Sequence, residues 1–268
     1  MIPFVFFGTD EFAVGVLTEL EAKGLVPEQI ITTEGKSSRR GKWLISPVET
    51  WAKENQIPFS YALKAGRYQL FIVASYGQIL SRTTLDMAKH GALNIHPSLL
   101  PKHRGAAPLQ SAILNGDAET GVSIMLLDEQ MDHGTILIFK TYPLTPNTSF
   151  ESLRNDLAKL GAQALVKVLL DYLAGKIKPV EQDHDAATYT KKITKESGLL
   201  DLSDSPTIND RKIRALNPNP GTYFIDENGK RVKVLSAHLD DNKLIFDRVV
   251  PESHKEMAWE SYSRKNTR

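Results

Sequence analysis

The apolar positions in the first part of the chain change between two periods, one typical of buried strands and one typical of helices. Ile2–Phe7 and Leu70–Ala74 are apolar runs of strand length, as expected for parallel strands buried on both faces. Between them, an apolar stripe at helical spacing from Phe12 to Leu20 precedes a further predicted strand at Glu28–Thr32. This β-α-β order predicts an α/β fold with a mostly parallel, Rossmann-like sheet.

Two capping boxes mark the starts of later helices. They are Ser46-Pro47-Val48-Glu49 and Thr148-Ser149-Phe150-Glu151, and the second opens the longest predicted helix, which ends at Gly175. We therefore expect one large domain over residues 1–176.

The pattern changes after this helix. Residues 177–203 are polar and irregular, which favours a linker. Residues 204–268 predict a small second domain with a helix and then three strands: Thr222–Ile225, Val232–Ala237 and Lys243–Val249. This segment is too short for a five-stranded barrel of the usual size, so we expect a reduced sheet.

Composition narrows the class of protein without naming a function. The 268 residues include 33 Lys and Arg against 32 Asp and Glu, so net charge gives no argument for nucleic acid, and any such site must come from local clustering. There is no cysteine, and the seven histidines lack metal-ligand spacing, so we expect no metal. No apolar stretch approaches the ~18 to 20 residues that span a bilayer. We expect a cytoplasmic protein without a membrane partner.

The unusual chemistry lies between Gly91 and Gly134. Ala92–Ile95 predicts a short buried strand, and alternation along a strand places Asn94 and His96 on the same side. Pro97 stops the strand, so the pair lies at its carboxyl end, where open α/β sheets bind ligands. The ordinary alternative is a surface histidine that bonds a neighbour.

A carboxylate is predicted to reach this pair. The strand Val122–Leu127 ends close before a loop that contains Asp132 and is bounded by Gly134. Because this strand is expected beside the first one, its loop can bring Asp132 to the imidazole of His96.

Four motifs in this region, taken together, resemble the formyltransferases that use 10-formyltetrahydrofolate. They are Asn94-x-His96, Ser98-Leu99-Leu100-Pro101, Arg104-Gly105-Ala106-Ala107-Pro108 and Asp132-x-Gly134. The Gly105–Pro108 run is similar in particular to the family members that act on methionyl-tRNA. The resemblance implies transfer of a formyl group from 10-formyltetrahydrofolate to the α-amino group of initiator methionyl-tRNA, without a metal. It also makes the second domain similar to the family's OB-like C-terminal domain.

Formyl transfer needs donors for the oxyanion of a tetrahedral intermediate and groups that move a proton. We hypothesise that the Asn94 amide holds the formyl oxygen and that His96 stabilises the developing negative charge. Asp132 would orient and charge His96 while it accepts the amine proton, directly or through water.

The resemblance also assigns a folate site to two loops. The residues are Tyr76, Gly77, Ile79, Leu80, Ser98, Leu99, Leu100 and Pro101. From the residues alone, the first loop is equally compatible with strand-to-helix packing and the second with an apolar turn.

A polar loop over residues 34–43 carries four cations in seven residues. Its alternatives are a solvated loop and an arm that grips phosphates, since Arg offers bidentate donors and an exposed Trp can stack on a base. The tRNA-specific family members have a loop here that enters the acceptor stem, which implies tRNA contacts for Arg39, Arg40, Gly41, Lys42 and Trp43. Arg39 stands where a glycine is usual in that family.

Three other functions stay open from the sequence. The formyl acceptor can be a sugar nucleotide or another small amine. The triad of Asn94, His96 and Asp132 can instead hydrolyse formyl-folate. The chain can also be a non-catalytic RNA-binding module. The basic loop disfavours the first of these, and the complete polar triad disfavours the last. We expect a monomer.

Overall fold

The computed structural model describes residues 2–37 and 43–266. They form two compact units. The larger unit comprises the residues up to Ala106 together with Glu119–Pro143 and Arg154–Thr190. The smaller unit comprises Ala107–Ala118, Leu144–Leu153 and the residues from Lys191 onward. The domain boundaries at 176 and 203 stay a prediction.

The strands in chain order are β1 (Val5–Gly8), β2 (Gln29–Ile31), β3 (Lys36–Ser37), β4 (Trp43–Leu44), β5 (Phe59–Ser60), β6 (Phe71–Ala74), β7 (Ala92–His96), β8 (Arg104–Gly105), β9 (Glu119–Leu126), β10 (Ile136–Pro143), β11 (Tyr189–Thr190), β12 (Thr222–Ile225), β13 (Arg231–Asp240), β14 (Lys243–Pro251) and β15 (Met257–Ala258). The helices are α1 (Glu11–Ala22), α2 (Pro47–Glu54), α3 (Arg82–Leu85), α4 (Pro108–Asn115), α5 (Phe150–Leu173), α6 (Pro206–Leu216) and α7 (Trp259–Asn266). Short 3-10 turns cover His184–Ala186 and Glu196–Gly198.

The larger unit is built on a seven-stranded sheet in the order β10-β9-β7-β6-β1-β2-β5. The pairs from β7 to β5 are parallel, whereas β9 and β10 run antiparallel to their neighbours. The predicted mostly parallel α/β fold is therefore confirmed. The sequence analysis did not predict β10, although the strand begins with the apolar run Ile136–Phe139; most of this edge strand is only partly buried or exposed.

The predicted helix starts are present. Ser46 Oγ accepts a hydrogen bond from Glu49 N, which caps α2, and Asp10 Oδ1 accepts from Phe12 N and Ala13 N, which caps α1. Burial raises the pKa of the Asp10 carboxyl. The predicted stripe from Phe12 to Leu20 forms the buried face of α1.

The long helix α5 spans 24 residues and approaches β7 closely. The second capping box predicted its start to within one residue: Ser149 Oγ, and not Thr148 Oγ1, accepts from Ser152 N and caps the helix. A Cβ at Gly161 would collide with Ile95 Cγ2 on β7. Glycine at this position therefore sets the distance between helix and strand, and with it the position of β7.

The smaller unit contains an antiparallel sheet in the order β12-β13-β14-β15. Its four strands confirm the predicted small, reduced sheet. The buried core consists of Leu200, Ile213, Phe224, Val232, Val234, Phe246, Val249 and Tyr262. Among the residues that the structure describes, no helix is both long enough and apolar enough to cross a membrane.

Candidate active site

Strand β7 presents Asn94 and His96 from a position between two hydrogen-bonded neighbours. Asn94 pairs with Val73 on β6, and His96 pairs with Ser123 on β9. Asn94 is 9% exposed and His96 is 4% exposed. Backbone pairing at both edges of β7 fixes the Cα positions of these two residues. Strand alternation then places the amide and the imidazole on the same face of the sheet.

The imidazole of His96 lies between two acceptors. His96 Nε2 is 3.2 Å from the carbonyl oxygen of His103, and His96 Nδ1 is 3.5 Å from Asp132 Oδ1. Both ring nitrogens can donate at once only when the ring is an imidazolium. The structure thus brings Asp132 to His96, as the sequence analysis expected.

Asp132 is held by hydrogen bonds at both its side chain and its backbone. Asp132 Oδ2 accepts from Gly105 N at 2.6 Å, and the Asp132 carbonyl accepts from Gln182 Nε2 at 2.9 Å. Its φ of 51° lies in the left-handed region, which Asp tolerates better than most residues. Residues held in such conformations cluster at functional sites, where surrounding contacts impose them.

The Asn94 amide differs from its neighbours because its donors and acceptor are not used. Among residues 2–37 and 43–266, no side chain or backbone group hydrogen bonds the Asn94 side chain. Within the described residues, neither polar atom of this amide is fully buried without a partner, so both reach solvent. Its N–H groups are therefore available to an oxygen of a ligand.

The loop after β7 is braced against β9. Ser123 Oγ accepts from Leu100 N at 3.0 Å and donates to the Ser98 carbonyl at 2.7 Å. The Ser98 hydroxyl donates to the Lys102 carbonyl at 2.6 Å. Ser98 and Leu100 are buried, whereas Leu99 and Pro101 are partly exposed. Ser98 thus supports the loop, and Leu99 and Pro101 are the residues of this run that reach its surface.

The other loop of the predicted folate site divides in the same way. Tyr76 and Leu80 are buried, with the Tyr76 ring 5.3 Å from that of Phe7, and this burial raises the pKa of Tyr76. Gly77 and Ile79 are exposed. A cavity of about 580 Å³ lies beside the sheet, and its lining is formed by Arg67, Tyr68, Gln69, Arg82, Leu85, Asp86, Met87, Ala88, Lys89, Gly91, Ala92, Leu126, Leu127 and Asp128. The predicted folate residues are not in this lining, so their role stays a prediction.

Most of the predicted tRNA-binding residues lie outside the described residues. These are Arg39, Arg40, Gly41 and Lys42. Trp43 begins β4 and is 55% exposed, and a Cβ at Gly35 would lie 2.6 Å from Trp43 Nε1. The Trp43 ring therefore lies against Gly35 and stays accessible, and its contact with tRNA stays a prediction.

The sequence analysis missed residues that support the site from the segment interpreted as a linker. Gln182 is 6% exposed, and Tyr189 and Thr190 pair with Arg104 and Gly105. Gln182 lies within the polar run Glu181–Asp185, so its burial gave no local signal. The structure shows that at least residues 182–190 pack as part of the larger unit.

Metal ligands are not grouped in the part of the chain that the structure describes. There, no cluster of three or more His, Asp or Glu side chains is suited to hold a metal ion.

Comparison with known proteins agrees with the fold. The formyl transferase family matches residues 29–169, and the formyl transferase C-terminal domain family matches residues 192–264. A solved N-formyltransferase from Helicobacter canadensis, in complex with folinic acid and dTDP-3-aminofucose, is similar in fold with a TM-score of 0.68. It is 18% identical, and the match covers 96% of this chain and 99% of that chain. The chain belongs to the formyl transferase family.

Within that family, two relatives with higher identity to this chain are methionyl-tRNA formyltransferases. The methionyl-tRNA formyltransferase of Rickettsia massiliae is 39% identical over 244 residues, which cover 87% of this chain and 80% of the relative. That of Carboxydothermus hydrogenoformans is 33% identical over 292 residues, which cover 96% and 94%.

Proposed function

We propose that this protein transfers the formyl group of 10-formyltetrahydrofolate to the α-amino group of initiator methionyl-tRNA. The observation that carries the proposal is the unpartnered Asn94 amide beside the His96 and Asp132 pair. The acceptor is supported by the relatives, since the methionyl-tRNA formyltransferases are 33 to 39% identical, whereas the sugar-modifying structure is 18% identical.

The first chemical step is attack of the neutral amine on the formyl carbon. A C–N bond forms, and the electron pair of the carbonyl moves to its oxygen. The Asn94 amide donates to this oxyanion, and its donors need no reorganisation because no acceptor among the described residues competes for them. His96, held near the carboxylate of Asp132, adds positive charge close to the oxyanion. The His103 carbonyl shares the Nε2 proton, so His96 acts here mainly through its charge.

The second step releases the folate. The amine nitrogen loses a proton to Asp132, directly or through one water, and the carbonyl re-forms as the bond between the formyl carbon and the folate nitrogen breaks. That nitrogen takes the electron pair and the proton that Asp132 accepted from the amine, which leaves tetrahydrofolate and restores the carboxylate. The Oδ1 atom of Asp132 accepts this proton, because Oδ2 already accepts a hydrogen bond from Gly105 N.

The remaining assignments follow from the same proposal. Folate lies along Tyr76, Gly77, Ile79, Leu80 and Ser98–Pro101, with Gly77, Ile79, Leu99 and Pro101 as the accessible residues. The tRNA contacts come from Arg39–Trp43. The protein acts in the cytoplasm as a monomer, with residues 1–176 as the catalytic domain, 177–203 as a connection and 204–268 as an OB-like domain.

One experiment tests the formyl donor, the acceptor and the site residues together. Purified protein is mixed with 10-formyltetrahydrofolate and methionyl-tRNA, and formyl-methionyl-tRNA is followed beside Asn94→Ala and His96→Ala variants. Loss of one oxyanion donor typically costs ~10²–10³ in rate. We expect falls of that size for each variant, with Tm little changed.

Two results would contradict the proposal. Near wild-type turnover by either variant would remove that residue from the chemistry. Transfer to a nucleotide-linked amino sugar, or release of formate, with no formylation of tRNA would keep the triad and replace the acceptor.

A further inference from the structure

Two further buried polar side chains, Arg104 and Gln182, lie next to Asp132. Arg104 is 1% exposed, and its guanidinium is bound by neutral acceptors. These are Gln182 Oε1, at 3.1 Å from Nε and 2.6 Å from Nη2, His184 Nδ1 at 2.9 Å, and the Tyr189 hydroxyl at 3.2 Å. A buried charge is retained only when its donors are satisfied, so these contacts are a structural requirement for Arg104.

Gln182 uses both ends of its amide. Its oxygen accepts two hydrogen bonds from Arg104, and its Nε2 donates to the Asp132 carbonyl at 2.9 Å and to the Gly134 carbonyl at 2.7 Å. The guanidinium has only donors and the two carbonyls only accept, so a single orientation of the amide satisfies all four bonds. Arg104 therefore fixes which end of the Gln182 amide faces the turn from Asp132 to Gly134.

The same peptide segment touches the triad from the other side. The His103 carbonyl faces His96, and Gly105 N donates to Asp132 Oδ2. Arg104 N donates to the Thr188 carbonyl at 2.8 Å, which joins the segment to β11. The backbone around Arg104 and its side chain thus hold the two ends of the contact between His96 and Asp132.

We propose that Gln182, oriented by Arg104, is a positioning residue for Asp132. It holds the turn from Asp132 to Gly134 so that the carboxylate stays between His96 Nδ1 and Gly105 N. Asp132 has a φ of 51°, and the two hydrogen bonds from Gln182 hold the backbone on both sides of His133. Only the rate measurement of this inference rests on the proposed function.

The experiment compares three variants. Gln182→Glu keeps an acceptor for Arg104 but places an oxygen against the carbonyls of Asp132 and Gly134. Gln182→Met keeps the length of the side chain and removes both sets of bonds. Tyr189→Phe is the matched control. Tyr189 is 67% exposed, so water can replace the hydroxyl that Arg104 loses, and the variant does not touch the turn.

A misplacement of about 1 Å can cost ~10²-fold in rate. We expect kcat for formyl-methionyl-tRNA to fall by about that factor in both Gln182 variants, with KM for 10-formyltetrahydrofolate unchanged and Tyr189→Phe near wild type. A purely structural role would instead lower Tm without separating kcat from KM.

A second measurement does not need activity. The ring nitrogen resonances of His96, recorded at one pH without substrates, should move in Gln182→Glu and stay in place in Tyr189→Phe. If the wild type formylates no tRNA, the proposed function fails and these resonances still test the positioning.

Unchanged kcat together with unchanged His96 resonances in the Gln182 variants would overturn the inference. If both variants fail to fold, a measurement on the wild-type protein tests the inference. Slow hydrogen exchange of the Gln182 side-chain amide supports the two donated bonds, and exchange at the rate of a free amide rejects them.

Discussion

The strand that carries Asn94 and His96 and the turn that carries Asp132 place their side chains by different means. Strand β7 is paired along both edges, and its five residues are buried. The turn is not part of a strand ladder, and the hydrogen bonds to Asp132 come from Gly105 and Gln182, which lie 27 and 50 residues away in sequence. Steric changes should therefore disturb the strand, and polar changes should disturb the turn.

This difference separates two tasks within one site. The strand provides a rigid platform for Asn94 and His96, the groups that we propose contact the oxyanion. The turn provides a charge whose position depends on a few hydrogen bonds, so its geometry is more easily lost.

The most severe test of the turn changes its charge and keeps its shape. Asp132→Asn retains an oxygen that can accept from Gly105 N, and Asn tolerates positive φ. Because proton transfer and the charge beside His96 are lost, we expect turnover to fall by ~10²–10⁴ with Tm close to wild type. Steady-state formylation and thermal unfolding measure the two effects. Turnover unchanged by this variant would show that the carboxylate is not the proton acceptor.

The strand is tested by changing the helix against which it packs. In Gly161→Val the new side chain collides with Ile95 on β7. Overpacking of this kind should lower the free energy of unfolding by about 3 kcal/mol, measured by urea denaturation. Gly66→Val is the control, since a Cβ there meets only the Tyr68 ring at 3.5 Å or more. Equal stability of the two variants would mean that α5 yields and does not set the position of β7.

A smaller effect should follow from loosening the loop beside the strand. Ser123→Ala leaves the Leu100 N–H and the Ser98 carbonyl without their partner, which should cost roughly 1 to 2 kcal/mol. Ser203→Ala, at an exposed serine that bonds Asp201, should change stability by less than about 0.5 kcal/mol. Urea denaturation compares the two. If they are equally mild, water replaces the Ser123 hydroxyl and the brace is not needed for stability.

The strand half of the site could be predicted from the sequence. Asn94 and His96 are two residues apart in an apolar run that Pro97 follows, and these local features gave both the shared side and the strand end. The caps at Ser46 and the stripe along α1 were equally local. Such features are fixed by backbone geometry and by the period of the chain, so they survive without knowledge of any distant contact.

The tertiary structure decided what holds the turn and the strand in place. Gln182 and Arg104 are polar residues whose spacing resembles that of any surface segment, and their burial is favourable only because each satisfies the other and the carbonyls of Asp132 and Gly134. Gly161 likewise matters only because Ile95 lies against it. The sequence alone determined which groups the site contains. Their mutual positions depend on contacts between residues far apart in the chain, and those contacts exist only in the folded protein.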